Sequence, residues 1–167
     1  MLNKSDAGGK PMSLAICVFI TCCTLITLTL IPKKLSELDM VFVYFSSTIF
    51  ELSIFTIFHV NLNWIAVNPS VETSFADLVL RLIHIPLLLL ISTNILLYNW
   101  KVLKWLIVAG MLLICLPMQV LLERLQIIST PHWNVFHTLV TFAGYMAFSR
   151  WMAWWIRYVG RKVANAR

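Results

Sequence analysis

Between Met12 and Ile31 the chain reads MSLAICVFITCCTLITLTLI, twenty residues without one charged side chain. A helix of that length rises about 30 Å, the thickness of a bilayer's hydrocarbon core. The run follows a polar start with Lys4 and Lys10, as a secretory signal does. It is nevertheless longer than the roughly 7–15 apolar residues of a signal, and no small-x-small cleavage site follows it. It is expected to stay on the protein as a membrane span, ended and anchored by Pro32, Lys33 and Lys34.

The rest of the chain repeats this design. Of 167 residues, 60% are hydrophobic and 12% charged, with a mean hydropathy of +0.84, whereas soluble domains carry about 25% charged residues. Further apolar blocks run over residues 40–60, 76–98, 102–122 and 133–156. The expected fold is therefore all-α: a polytopic bundle of about five transmembrane helices at 12–31, 40–60, 76–98, 102–122 and 133–156. A single integral membrane domain covers 1–167, with a polar tail over 1–11 and a basic tail over 157–167. Pro86 and Pro117 predict kinks, because a membrane helix tolerates proline. The segment HVNLNWIAVNPSVETSFA, His59 to Ala76, reads as a loop. After Ser149 the last block either continues as a span or turns along the surface, since SRWMAWWIRYVGRK mixes tryptophan with arginine.

The formal net charge of +6 sits at the ends of the apolar blocks rather than on one exposed face. It is a membrane-topology signal and excludes a nucleic-acid partner. Lys33, Lys34, Lys101, Lys104, Arg150, Arg157, Arg161, Lys162 and Arg167 fall on one side of a five-span chain. Lys4, Lys10, Arg124 and Arg81 fall on the other or near it. The cytoplasmic face carries the excess of Lys and Arg, so the expected orientation has the N-terminus out and the C-terminus in, within the cell membrane.

Ionisable residues inside spans are the candidates for function, because a charge at mid-membrane costs about 2.5–3.5 kcal/mol and requires a partner or a wet cavity. Glu51 is expected at roughly 13 Å depth and His84 at roughly 12 Å. Tyr44, Ser47, Thr48 and Glu51 form one stripe of the second block, and Asp77, Arg81 and His84 one stripe of the third. The candidate intramembrane polar site is accordingly Glu51, Arg81 and His84, with Glu51 facing His84 and Arg81 above them or reaching outward. Asp77 reads as a helix-start acid suited to the dipole.

The four histidines, His59, His84, His132 and His137, all fall toward the outer side. No pair has the spacing that puts two ligands on one helix face, so no metal and no cofactor is expected. Cys17, Cys22, Cys23 and Cys115 lie inside apolar blocks and read as packing residues. No nucleophile elbow, phosphate-binding glycine loop or zincin helix occurs, so the chain is not expected to be an enzyme.

The expected role is a non-enzymatic structural or accessory membrane subunit. Cys17, Thr21 and Thr24 would offer a close-packing face to another helix. The alternative is a small transporter or channel-forming oligomer using Glu51, Arg81 and His84. The expected partners are the lipid bilayer and other membrane proteins or a second copy of the chain.

LIPKKLSELD, Leu30 to Asp39, is followed by a span with one acid and a polar loop. Then come a Tyr-Asn-Trp-Lys turn at Tyr98 to Lys101, LLERL at Leu121 to Leu125, and HWN at His132 to Asn134. This ordering resembles an uncharacterised family of small multi-pass membrane proteins of endospore-forming Firmicutes. The resemblance implies a bacterial plasma membrane and carries no activity with it.

Overall fold

The computed structural model describes residues 12–131 and 133–165. Lys4, Lys10, His132 and Arg167 lie outside the described residues. Five helical rods follow one another: α1 Ser13–Leu30, α2 Glu37–Asn61, α3 Val71–Leu96, α4 Leu103–Arg124 and α5 Val135–Asn165. Among the described residues, α1 to α4 are long and apolar enough to cross a membrane. Large apolar side chains such as Phe19, Ile49, Leu113 and Phe136 point outward, while Glu51, Asp77, Thr93 and Asn94 are buried. That inversion of a soluble protein suits a lipid solvent.

Local chemistry accounts for the ends. Ser36 accepts from the Asp39 amide and the Asp39 carboxylate accepts from the Ser36 amide, a reciprocal cap that starts α2 three residues ahead of its apolar block. Ser70 caps α3 by accepting from the Thr73 amide. The stretch from Val71 to Ala76, expected as loop, is therefore helix, and Asp77 is not a helix-start residue. It lies in the second turn and is buried.

The C-terminus of α4 closes with the Ile127 amide donating to the Leu122 carbonyl and the Gln126 amide donating to that of Glu123. Gln126 takes a positive φ of 56° there. This is a Schellman cap with glutamine in the usual glycine position, and Ile127 is buried beneath it with Leu122 packed alongside. Just beyond, Val67 pairs with Ile128 and Ala66 with Ser129 in a two-residue antiparallel ladder. The ladder ties the α2–α3 and α4–α5 connectors together on one face of the bundle. On the opposite face, the Asn94 side chain accepts from the Lys34 amide and donates to the Pro32 carbonyl, holding the α1–α2 connector to the end of α3.

Five alternating rods result, with α3 in contact with the other four. The small-residue face of α1 (Ser13, Cys17, Thr21, Thr24 and Leu28) is buried, and α1 packs along α3 of the same chain. The close-packing face expected from Cys17, Thr21 and Thr24 is thus met by a helix of the same chain. Thr21 and Thr24 satisfy their hydroxyls on the Cys17 and Ile20 carbonyls one turn back, so small polar residues line a close helix contact without an unmet donor. The last rod, α5, runs unbroken through Ser149, so its basic, aromatic end does not turn aside as a separate surface helix.

Candidate functional site

The middle of α3 is not regular. From Leu80 to His84 it widens into a π turn, with the Ile85 amide donating to the Leu80 carbonyl five residues back. Pro86 follows directly. Proline has no amide hydrogen, so the Leu82 carbonyl, four residues earlier, loses its helical donor. The Tyr44 hydroxyl of α2 donates to that carbonyl at 2.6 Å. The freed backbone group is thus satisfied by a neighbouring helix, as membrane proteins require.

The wide turn also decides where the charged side chains go. In an unbroken α-helix Asp77, Arg81 and His84 would share a face. Here Arg81 turns to α2 and His84 to α1. The Arg81 Nη1 donates to Glu51 Oε1 at 2.9 Å, and its Nε lies 2.9 Å from both Asp77 carboxylate oxygens. The guanidinium carbon stands 3.2 Å from the centre of the Phe55 ring, adding a cation–π contact. Arg81 is therefore held inward between two carboxylates rather than snorkelling to the interface. Glu51 is only 1% exposed, and among the described residues its Oε2 has no hydrogen-bond partner.

The expected Glu51–His84 pairing is replaced by Glu51–Arg81. His84 Nδ1 instead lies 3.1 Å from the Thr24 hydroxyl, which also donates to the Ile20 carbonyl at 3.0 Å. With that hydroxyl hydrogen directed to the backbone, the Thr24 oxygen is left to accept from His84 Nδ1. His59 and His137 serve elsewhere, one beside the Ile65 carbonyl and the other accepting from the Asn134 amide. Among the described residues, no group of three His, Cys, Asp or Glu side chains is placed to hold a metal ion.

Glu51, Asp77, Arg81 and His84 stand on the wall of a cavity of about 530 Å³ that is partly open along the side where the exposed Phe19, Cys23 and Ile114 line it. The volume is within the roughly 300–1,000 Å³ of small-molecule sites. Its polar lining is concentrated toward one end, where Glu51, Asp77, Arg81 and His84 are joined by Gln119, Thr130 and Thr138. Toward the other end the wall is Leu88, Ile91, Ile95, Ile107, Met111 and Ile114. From Asp77 to Ile95 the cavity follows α3 for about 27 Å at 1.5 Å per residue. Trp133 closes the polar end, its indole donating to Thr138 at 2.8 Å and its ring 4.7 Å edge-on to Phe58. Asp77, Tyr44, Gln119 and Thr138 were not among the expected site residues. The freed carbonyl before Pro86 signals that some donor is needed there, but nothing in the sequence names Tyr44 as that donor.

No protein-family model matches the chain, and no curated protein or solved structure is similar to it.

Proposed function

We propose that this chain is a non-enzymatic integral protein of the cell membrane that holds an elongated amphipathic ligand inside its helix bundle. It crosses the membrane five times with the N-terminus out and the C-terminus in, and the polar end of the cavity, closed by Trp133, lies toward the outer face. The observation that supports this reading is the polarity of the cavity. It has a charged and hydrogen-bonding end at Glu51, Asp77, Arg81 and His84, and a long aliphatic remainder. Such a shape suits a head group at one level and a hydrocarbon chain along the membrane normal. A purely structural role, packing against partner helices, relied on the small-residue face of α1, and α3 of the same chain covers that face. A second reading, movement of the ligand across the bilayer, is favoured by a cavity nearly as long as the hydrocarbon core is thick.

The test uses the full chain in lipid nanodiscs, with empty discs subtracted and dodecanol as an uncharged amphiphile. Saturable binding of one molecule per chain is expected. Met111→Trp, on the cavity wall, should abolish it, and Leu113→Trp, on the exposed flank of α4, should not. Equal uptake by both variants, or uptake that never saturates, sinks the reading. A reporter fused to the C-terminus should be active only in the cytoplasm.

A further inference from the structure

Resting on the amphiphile-binding reading, we infer that the head group of the ligand is a monovalent organic cation, an ammonium carried on a hydrocarbon body. The inference follows from counting charge where the cavity is polar. Among the described residues, Glu51, Asp77 and Arg81 are the formally charged groups on its wall, two carboxylates against one guanidinium. The guanidinium is shared between both acids at contact distance. With both acids ionised the cluster keeps one uncompensated negative charge, away from water, where unpaired charge is most costly. An anionic head would add a second, and a neutral head would leave the first as it is.

Two further features point the same way. Among the described residues Glu51 Oε2 is buried without a partner, although the other oxygen of the same carboxylate accepts from Arg81. The wall nearby is aromatic: Phe142 and Tyr145 lie with ring centres 5.8 Å apart, and Trp133 closes the end. Aromatic faces beside a carboxylate are how proteins hold ammonium groups, by the ring quadrupole together with the counter-charge. Among the described residues the cation on the wall, Arg81, stands over the Phe55 face, and the ammonium is assigned to the unpartnered Glu51 Oε2, with Tyr145 on the same wall. Leu88, Ile91, Ile95 and Ile107 would then receive its hydrocarbon body.

The charge series is read on the unaltered full chain in nanodiscs by titration calorimetry, with dodecyltrimethylammonium, dodecanol and dodecyl sulfate as probes of matched chain length. The ammonium should bind at least about tenfold tighter than dodecanol, and the sulfate weakest. Glu51→Gln, which leaves a formally neutral cluster, should remove the ammonium preference while dodecanol still binds. Equal binding of ammonium and alcohol overturns the cationic head group and leaves the amphiphile reading standing. Tightest binding of the sulfate overturns it in favour of Arg81 as the head-group receptor. Failure of all three probes removes both readings. If Glu51→Gln does not fold, the charge series on the unaltered chain still decides the question.

Discussion

Helices α3 and α4 are both apolar enough to cross a membrane, yet half of the membrane-length stretch of α3 is buried inside the bundle, against 11% of that of α4. The difference lies in what each helix carries. Along α3, Glu72 accepts from the Ser13 hydroxyl of α1, Arg81 binds Glu51 of α2, Thr93 shares a hydrogen with Ser149 of α5, and Asn94 fastens the α1–α2 connector. The flank of α4 at Trp105, Leu106 and Leu113 presents only apolar side chains outward. Lipid is as apolar as leucine, so burying α4 would gain little, whereas each polar group of α3 needs a partner inside the bundle. Position in this bundle follows hydrogen-bonding need more than hydrophobicity.

The comparison breaks most sharply at Arg81. Arg81→Leu leaves the Glu51 and Asp77 carboxylates without their shared cation, and losing one partner of a buried ion pair costs about 3–5 kcal/mol. The variant should insert poorly or unfold at much lower temperature in detergent, as followed by helical circular dichroism. Arg81→Lys should recover only part of the loss, because one ammonium cannot replace a planar fork held by two carboxylates. Thermal unfolding of Arg81→Leu at the wild-type temperature would mean that the ion cluster is not what holds α2 to α3.

A smaller effect is expected at Asn94, whose side chain both accepts from the Lys34 amide at 2.7 Å and donates to the Pro32 carbonyl at 2.9 Å. Asn94→Leu strands the Lys34 amide, at a cost of about 1–3 kcal/mol where it is buried, while the Pro32 carbonyl keeps the Tyr98 hydroxyl as a donor. The loss should appear in unfolding and as faster proteolysis of the α1–α2 connector, with the α4–α5 connector unaffected. Equal cleavage of both would show that Asn94 acts on the whole bundle rather than on one link.

The five apolar blocks were readable as helices from composition, because about twenty mostly apolar residues admit few conformations in lipid, and four of those helices are long and apolar enough to cross a membrane. Glu51 and Arg81 were readable as candidates for the same reason, since a charge inside a span must be paired. Their partners were harder to read. A one-residue widening between Leu80 and His84 separates the directions of Arg81 and His84, and no propensity scale marks a π turn in advance. The start of α3 was misread because Asn68, Pro69 and Ser70 are turn residues, and the same Ser70 that argues for a loop is the cap that begins the helix. The face formed by Cys17, Thr21 and Thr24 was correctly seen as a close-packing surface, but a helical stripe does not say whether its partner belongs to the same chain.

At the π turn the effect should be modest and strongly coupled. Tyr44→Phe removes the donor to the Leu82 carbonyl, and hydrogen bonds between membrane helices average about 0.6 kcal/mol, reaching about 1.7. Pro86→Ala restores an amide that can donate to that same carbonyl. If the tyrosine serves only to cap the carbonyl freed by the proline, Tyr44→Phe should cost nothing measurable in the Pro86→Ala background, a non-additivity read directly from a double-mutant cycle. Additive losses would assign Tyr44 a different role.

The smallest effects belong on α4. Leu113 is 62% exposed, and a Cβ added at Gly110 would meet no atom within 4 Å. Facing lipid, Leu113→Ala trades one apolar contact for another and should change stability by less than about 0.5 kcal/mol. Gly110→Ala should be neutral or slightly stabilising, because alanine is the better helix former. The pair is informative because the prediction holds only if that flank is covered by lipid. A second copy of the chain packed there would make Leu113→Ala costly through lost side-chain contact and Gly110→Ala costly through a clash at the closest approach of the helices. Both losses would disappear on dilution into excess detergent. Stability that is independent of protein concentration, with both substitutions silent, leaves α4 as the lipid-facing wall of the cavity and α3 as the helix on which the fold depends.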